Sequence, residues 1–410
     1  MSMKKYYVLL FFMVLFSSIA FANPFIRLDS LELLQTKQKL KNGTASPETL
    51  AAYQKLIKDA NKTLTLENPS VMDKTLLPPS KNKHDYLSLS RYWWPNPESA
   101  DGLPWIRHDG KTNPDSQTDA VDRKRLALLG RSVWNLSLAY YFTQDETYSK
   151  KAISMIETWF INPETFMHPH LKYGQSIPGY PNTRPFGILD GRSIVEFIPD
   201  AVTLLTPSKY WDATHQVKMN TWFSDYLQWL TTSPLGMQAS KLENNHGSWY
   251  TFQVAGLALY LGDTALVQQM VKHAEQNLET MLNEDGGQIH ELERSRSFFY
   301  SCFNLDALTE LANLGDKVHE NMWDYESENK KGLGLALHYL TAVVDGKVWP
   351  HDTLKAINFS YLIPILSKFY KKYDDKIYKD FLVKILNDID SNSQHNRTLQ
   401  EFWLFPPDQF

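Results

Sequence analysis

From Arg125 onward, apolar positions return every third or fourth residue. Leu126, Leu129, Val133, Leu136 and Tyr140 form one such stripe, and Ile153, Ile156 and Phe160 form another within residues 148–160. That spacing places the apolar side chains on one face of a helix. The same period marks residues 193–205, 215–231, 249–261, 264–282, 304–314, 332–344, 361–373 and 378–389, whereas strand-like alternation is scarce. Several stretches close with similar punctuation: Gln144-Asp145, Gly262-Asp263, Gly315-Asp316, and Phe369-Tyr370 ahead of Asp374. The last three aspartates lie 53 and 58 positions apart, and Asp145 precedes Asp263 by 118, close to two such steps. A repeated helix–turn–helix unit of this length predicts an all-α chain, either an α/α toroid or a helical solenoid.

Two long irregular stretches interrupt the helices. Residues 78–119 carry Tyr92-Trp93-Trp94-Pro95 and Arg107-His108-Asp109-Gly110. Residues 164–190 carry His168-Pro169-His170, Tyr173-Gly174-Gln175, Pro178-Gly179 and Gly187-Ile188-Leu189-Asp190. Loops of this length in a folded domain serve as lids or binding loops more often than as connectors. No linker divides the chain, so residues 23–410 read as a single domain. Residues 1–22 read as a secretory signal peptide: Lys4 and Lys5 precede an apolar run from Tyr6 to Phe16, and Ala20-Phe21-Ala22 supplies the cleavage pattern. A membrane anchor needs a longer apolar run. The expectation is an exported protein, periplasmic or secreted, that does not sit in a membrane.

Composition narrows the chemistry. The 42 basic and 46 acidic side chains leave a net charge of −4, with no basic block to bind nucleic acid. The one cysteine, Cys302, excludes an internal disulfide framework and a cysteine-rich zinc site. Twelve Trp and 21 Tyr offer flat amphipathic surfaces that serve either core packing or sugar stacking.

Two clusters can carry chemistry. Asn244-Asn245-His246-Gly247-Ser248-Trp249-Tyr250 precedes a strongly apolar helix. Asn caps helices, but an amide beside an imidazole can also bind an anion and accept a proton. The second cluster runs from Glu291 to Tyr300, between the Asp285-Gly286-Gly287 turn and the 304–314 helix. Arg294 can neutralise a carboxylate through paired N–H bonds, and Tyr300 can donate or accept a proton. His168 and His170 are a weak metal pattern, since no further ligand accompanies them in sequence. No phosphate-binding glycine loop, H-E-x-x-H or G-x-S-x-G occurs. Carboxylates such as Asp190 with Glu291 or Glu293 leave a glycoside hydrolase open.

Asn245-His246 followed by Arg294 and Tyr300, on a helical-hairpin chain, resembles the alginate-lyase-like polysaccharide lyases. Leu171-Lys172-Tyr173-Gly174-Gln175, Pro178-Gly179 and Gly187-Ile188-Leu189-Asp190 are similar to that family's L-x-Y-A-Q, P-G and G-I-I-D stretch, with Gly174 in place of Ala. The six-residue step from Arg294 to Tyr300 is closer to polysaccharide lyase family 38 than to the periplasmic mannuronan lyases. The resemblance implies an incomplete (α/α) toroid of about six to seven hairpins. It also implies β-elimination on a β-1,4-linked uronan, glucuronan or mannuronate-rich alginate, without cofactor or metal. By family position Asn245 and Arg294 neutralise the sugar carboxylate, Tyr300 protonates the leaving oxygen, and Tyr300 or His246 removes the C5 proton. Gln175, Arg192, Trp93, Trp94 and Tyr250 are the expected substrate contacts, with Arg184, Lys241 and Arg296 as further cations. Arg294 is expected to make Tyr300 more acidic. The alternatives are a hydrolase on the same scaffold and a non-catalytic uronan-binding protein.

Overall fold

Residues at the turns set several of the helix boundaries. Gln144 and Gly262 adopt the left-handed conformation that ends one helix, and the next residues, Asp145 and Asp263, cap the helix that follows. Their carboxylates accept N–H bonds from Thr147 and Leu266. At these two corners the helix that follows folds back against the one before.

The computed structural model describes residues 24–388 and Trp403; the expected signal peptide, residues 1–22, lies outside the described residues. The long helices are α1 (Ser30–Asn42), α2 (Pro47–Leu64), α3 (Arg123–Thr143), α4 (Glu146–Ile156), α5 (Ile198–Leu205), α6 (Ala213–Thr232), α7 (Asn245–Leu261), α8 (Thr264–Met281), α9 (Ser297–Asp316), α10 (Leu333–Val344), α11 (Ile363–Tyr373) and α12 (Lys376–Asp388). Burial sorts them into two layers. Every residue of α5 is buried, as is nearly every residue of α7 and α9. By contrast α8 buries Val267, Val271, Ala274, Leu278 and Met281 alone, a single stripe. Helices that are apolar all round must lie inside, and one-striped helices cover them. Inner α3, α5, α7, α9 and α11 thus alternate with outer α4, α6, α8, α10 and α12. With α1–α2, the described residues form six helix pairs in an incomplete (α/α) toroid. No helix among them is long and apolar enough to cross a membrane.

Three boundaries depart from the periodic reading. Helices α1 and α2 were not evident from the apolar spacing; Asp29 and Ser46 cap their starts, Pro47 opens α2 and Gly43 ends α1. The 193–205 stripe splits into Arg192–Val195 and α5, because Pro199 fits only the first turn of a helix. The 304–314 helix begins instead at Ser297, which places Tyr300 inside its first turn.

The two irregular stretches meet each other. Leu87–Leu89 (β1) and Tyr173–Ser176 (β4) pair in parallel, while Trp93–Trp94 (β2) pairs antiparallel with Ile106–Arg107 (β3). Gly174 is required here: a Cβ on it would lie 2.7 Å from the Gly187 carbonyl oxygen. At the other end of the chain, Ile26, Arg27 and Leu28 donate their backbone N–H groups to buried Asp200 at 2.6, 2.9 and 2.8 Å. Arg27 then reaches Glu310 on α9 at 2.9 Å. Replacing Asp200 by Ala strands three donors in the interior, so unfolding in denaturant should show a loss of about 3 kcal/mol or more. A loss under about 1 kcal/mol would mean that Asp200 does not hold this segment.

Candidate active site

Asn244 caps α7 by accepting the His246 N–H at 3.0 Å, and this sets Asn245 and His246 on the first turn of the helix. Asn245 is buried. Its backbone N–H donates to Glu291 Oε1 at 2.7 Å, and its Nδ2 donates to both Glu291 oxygens at 3.0 Å. The amide oxygen Oδ1 is left buried without a partner. Glu291 belongs to the short helix Ile289–Leu292. Burial raises its pKa, against the bonds from Asn245.

Arg294 and Tyr300 form one unit. The guanidinium carbon lies 3.8 Å from the Tyr300 ring centroid. The fork is turned to Asp109, with Nη2 at 2.8 Å and Nε at 3.3 Å. Asp109 also accepts from Ser295 Oγ at 2.7 Å and pairs with Arg107 at 2.7 Å. Burial works against its ionisation, yet the bonds from Arg294 and Ser295 hold its carboxyl far below the usual range. The Tyr300 hydroxyl donates to Tyr92 Oη at 2.9 Å. Burial pushes the Tyr300 phenol far above its ordinary pKa; Arg294 pulls it down and Tyr92 pushes it further up. The expected acidification by Arg294 is therefore real in sign but outweighed. His246 is depressed to a pKa of about 4, by burial first and by Arg294 second, so it is a neutral imidazole at pH 7. Phe186 packs against it with ring centroids 4.9 Å apart.

All four groups line one cavity of about 1470 Å³. Gln175, Arg192, Trp93 and Arg184 share that wall. Gln175, at φ 48°, donates through Nε2 to Asp190 at 3.2 Å. Arg192 lies against the Trp249 and Phe303 rings at 4.8 and 4.9 Å, and Arg184 against Trp93 at 5.3 Å. Two expected contacts lie elsewhere. Trp94 turns its indole N–H to the Lys111 carbonyl at 3.1 Å, and Tyr250 is buried with its hydroxyl on the Leu230 carbonyl at 3.1 Å. Trp94 and Tyr250, like Lys241 and Arg296, are outside the cavity lining among the described residues.

Asp109, Tyr92 and Arg123 join the site without having been singled out for it. Asp109 and Tyr92 come from the irregular stretch 78–119, whose length was the only signal. Arg123 pairs with Asp190 at 3.1 Å. Asp190 also accepts from Tyr86 at 3.0 Å and Ser88 at 2.5 Å. Asp190 and Glu291 are thus both tied to protein groups, while Glu293 lines the cavity. Among the described residues the lining holds ten Arg and Lys side chains against five Asp and Glu. A wall of that sign concentrates an anionic ligand despite the chain's charge of −4. Potential metal ligands gather elsewhere, at Asp85, His168 and His170.

Comparison with known proteins gives a consistent result. A family model described as alginate lyase matches residues 70–349. Among solved structures, an alginate lyase from Bacteroides ovatus superposes with a TM-score of 0.85 at 31% identity, over 94% of this chain and 100% of that one. Alginate lyase A1-III from Sphingomonas species A1 superposes at 0.53 with 15% identity, over 82% and 86% of the two chains. A tyrosine-to-phenylalanine variant of A1-III, complexed with a tetrasaccharide, reaches 0.58 at 16% identity, over 87% and 90%. At 15–16% identity the likeness to A1-III concerns the fold. No curated protein sequence matches the chain.

The electrostatics of the cavity can be read directly at His246. A titration of its ring by NMR should give a midpoint near pH 4, the neutral form persisting through pH 6. A midpoint at or above 6.5 would show that the imidazole is not desolvated beside Arg294.

Proposed function

The chain belongs to the alginate lyase family and is a polysaccharide lyase, and from that premise we propose that it cleaves a β-1,4-linked uronan, glucuronan or mannuronate-rich alginate, by β-elimination. The observation that carries this reading is the convergence of Asn245, His246, Arg294 and Tyr300 on one cation-rich cavity wall. Variants of A1-III in which a histidine or a tyrosine is replaced are complexed with a tetrasaccharide, and a cavity of about 1470 Å³ has room for several sugar units here. The lysine-led apolar run and the Ala20-Phe21-Ala22 pattern support export as part of the proposal.

The chemistry follows from charge. Removing the C5 proton of a uronate moves electrons toward its carboxylate, so that group must be neutralised before the proton can leave. Arg294 offers a fork shaped for a carboxylate, and a uronate seated there takes the place of Asp109. Asn245 is under the control of Glu291. While Glu291 is ionised both of its oxygens accept from Nδ2, and Oδ1 is turned away from the carboxylate. A protonated Glu291 can donate to Oδ1 instead, which releases Nδ2 to the substrate carboxylate. Burial favours that protonated form. Tyr300, a phenol at rest, is charged correctly to protonate the leaving O4, and neutral His246 to accept a proton. When C5–H and O4 share a face, as in mannuronate and glucuronate, Tyr300 serves both steps: its own proton is first lost to solvent, and the phenolate then takes the C5 proton and passes it to O4. When they oppose, as in guluronate, His246 is the acceptor.

Turnover is read as a gain in ultraviolet absorbance from the new C4–C5 double bond. Tyr300→Phe should lower kcat by about 10²–10⁴-fold while tetrasaccharide affinity stays within about threefold. Retained elimination removes Tyr300 from the mechanism, and saturated products would overturn elimination itself. For Glu291, the expected series separates charge from shape. Glu291→Gln mimics the protonated acid and should stay within about tenfold of wild type. Glu291→Ala frees the amide to turn and should cost about 10²-fold or more. Equal losses in both would mean that the amide's orientation is not what Glu291 controls.

A further inference from the structure

His168-Pro169-His170 is too sparse a pattern to be a metal site by itself, and the fold supplies what the sequence lacks. Parallel pairing of β1 with β4 brings the residues just before each strand together. Asp85 precedes β1, and the two histidines precede β4. One potential ligand atom from each of the three lies within 4.8 Å of the others. Asp85 Oδ1 is 2.6 Å from His168 Nδ1 and 3.2 Å from His170 Nε2. Ser80 donates to the other oxygen, Oδ2, at 2.5 Å, so the carboxylate is held with one edge toward both imidazoles. The backbone fixes the approach of the two loops: the His168 N–H reaches the His84 carbonyl at 2.9 Å, and His84 Nδ1 bonds the Phe166 carbonyl at 2.6 Å.

We propose that Asp85, His168 and His170 bind one divalent transition-metal ion, of the zinc(II) class, that clips the loop before β1 to the loop before β4. The argument is one of donor type and distance. Two imidazoles and a carboxylate are the ligands such ions prefer, and they leave a fourth position for water. Bond lengths of about 2.0–2.1 Å put tetrahedral ligand atoms roughly 3.3 Å apart, so the separations of Asp85 Oδ1 from the two imidazole nitrogens, 2.6 and 3.2 Å, each change by under about 1 Å on closing round an ion. An ion pair uses one imidazolium on a carboxylate; here two ring nitrogens converge on one oxygen. Coordination through His170 Nε2 moves its proton to Nδ1 and gives up only a 3.4 Å contact from the Lys172 N–H. The imidazoles are 32% and 24% exposed against 8% for Asp85, which leaves the ion a path from solvent.

The site is separate from the cavity but mechanically joined to it. Tyr86, Ser88 and Gln175, carried by the two clipped segments, are the groups that hold Asp190 in the cavity wall. A bound ion should therefore raise thermal stability, and its effect is measurable without substrate.

The test uses the full chain, stripped with a chelator and dialysed, then titrated with Zn²⁺ by calorimetry and with Co²⁺ by visible absorption. Expected are one ion per chain with micromolar or tighter affinity, a rise in Tm, and cobalt ligand-field bands stronger than those of the aqueous ion. The double variant His168→Gln, His170→Gln and the single variant Asp85→Asn should each bind at least 100-fold more weakly and lose the rise in Tm, with circular dichroism unchanged. Should a variant not fold, the wild-type cobalt spectrum still decides. Bands no stronger than the aqueous ion, no saturation at one equivalent, or binding unchanged in a folded double variant would each overturn the site.

Discussion

The cavity depends on cations fixed by carboxylates of the protein's own. Arg294 is forked on Asp109, while Arg123 pairs with Asp190 at 3.1 Å and Arg192 with Glu196 at 3.4 Å through single contacts. A guanidinium drawn into a wall loses water, and a carboxylate partner offsets that loss while setting the direction of the fork. The consequence for an anionic ligand is that at these three positions it meets a cation already paired. A uronate at Arg294 exchanges one carboxylate for another, and the net gain there is small. Affinity must then come from many modest exchanges along the wall, which is where an excess of five cations over anions matters. An arrangement of this kind also leaves binding energy for the step in which charge moves, rather than using it all on the ground state.

Much of the fold was legible because its rules are local. Inner helices carry apolar residues all round and outer ones carry a stripe, so the 3.6-residue period was visible from Arg125 onward. Left-handed Gln144 and Gly262 followed by capping Asp145 and Asp263 gave the repeating corners their signature. Asp316, third in the punctuation, departs from it: it is the last residue of α9 rather than a cap. Helix α1 escaped because its apolar face is thin, and α2 because its buried stripe is mostly small or polar: Thr49, Ala52, Leu56, Ala60 and Thr63. Leu33 alone is buried along α1, and capping residues rather than periodicity mark both ends.

The site divides along the same line. Asn245 with His246, and Arg294 with Tyr300, are close in sequence, and their chemical types advertise them. Their partners are not close. Asp109 reaches Arg294 across 185 positions and Tyr92 reaches Tyr300 across 208. Nothing in an aspartate or tyrosine inside a long loop identifies the helix turn it will meet. Trp94 and Tyr250 show the converse error. Both were chosen by residue type beside a motif, and both satisfy their polar atoms on backbone carbonyls. Alternation decides such cases: on β2 adjacent side chains face opposite ways, so Trp93 and Trp94 could not both face the cavity.

Tyr300 is where the opposing effects have to be weighed. Desolvation raises its pKa and the Arg294 guanidinium, 3.8 Å from the ring, lowers it. Desolvation wins in the resting protein partly because Arg294 is not a free cation: Asp109 sits in its fork and cancels much of its field. Tyr92 adds to the same side by bonding the neutral phenol. Both residues ride on the segment built around β2 and β3. Displacing Asp109 removes the anion that quenches Arg294, and parting Tyr92 from Tyr300 removes the phenol that opposes ionisation. A substrate carboxylate returned to Arg294 would restore the quench, whereas one held by the Asn245 amide would not. The two carboxylate binders are therefore not redundant. For a same-face uronate, in which Tyr300 must lose its proton before giving one back, the share of the sugar carboxylate's charge that the amide takes leaves more of the Arg294 field on the phenol. The guanidinium then serves the sugar acid and the phenol together.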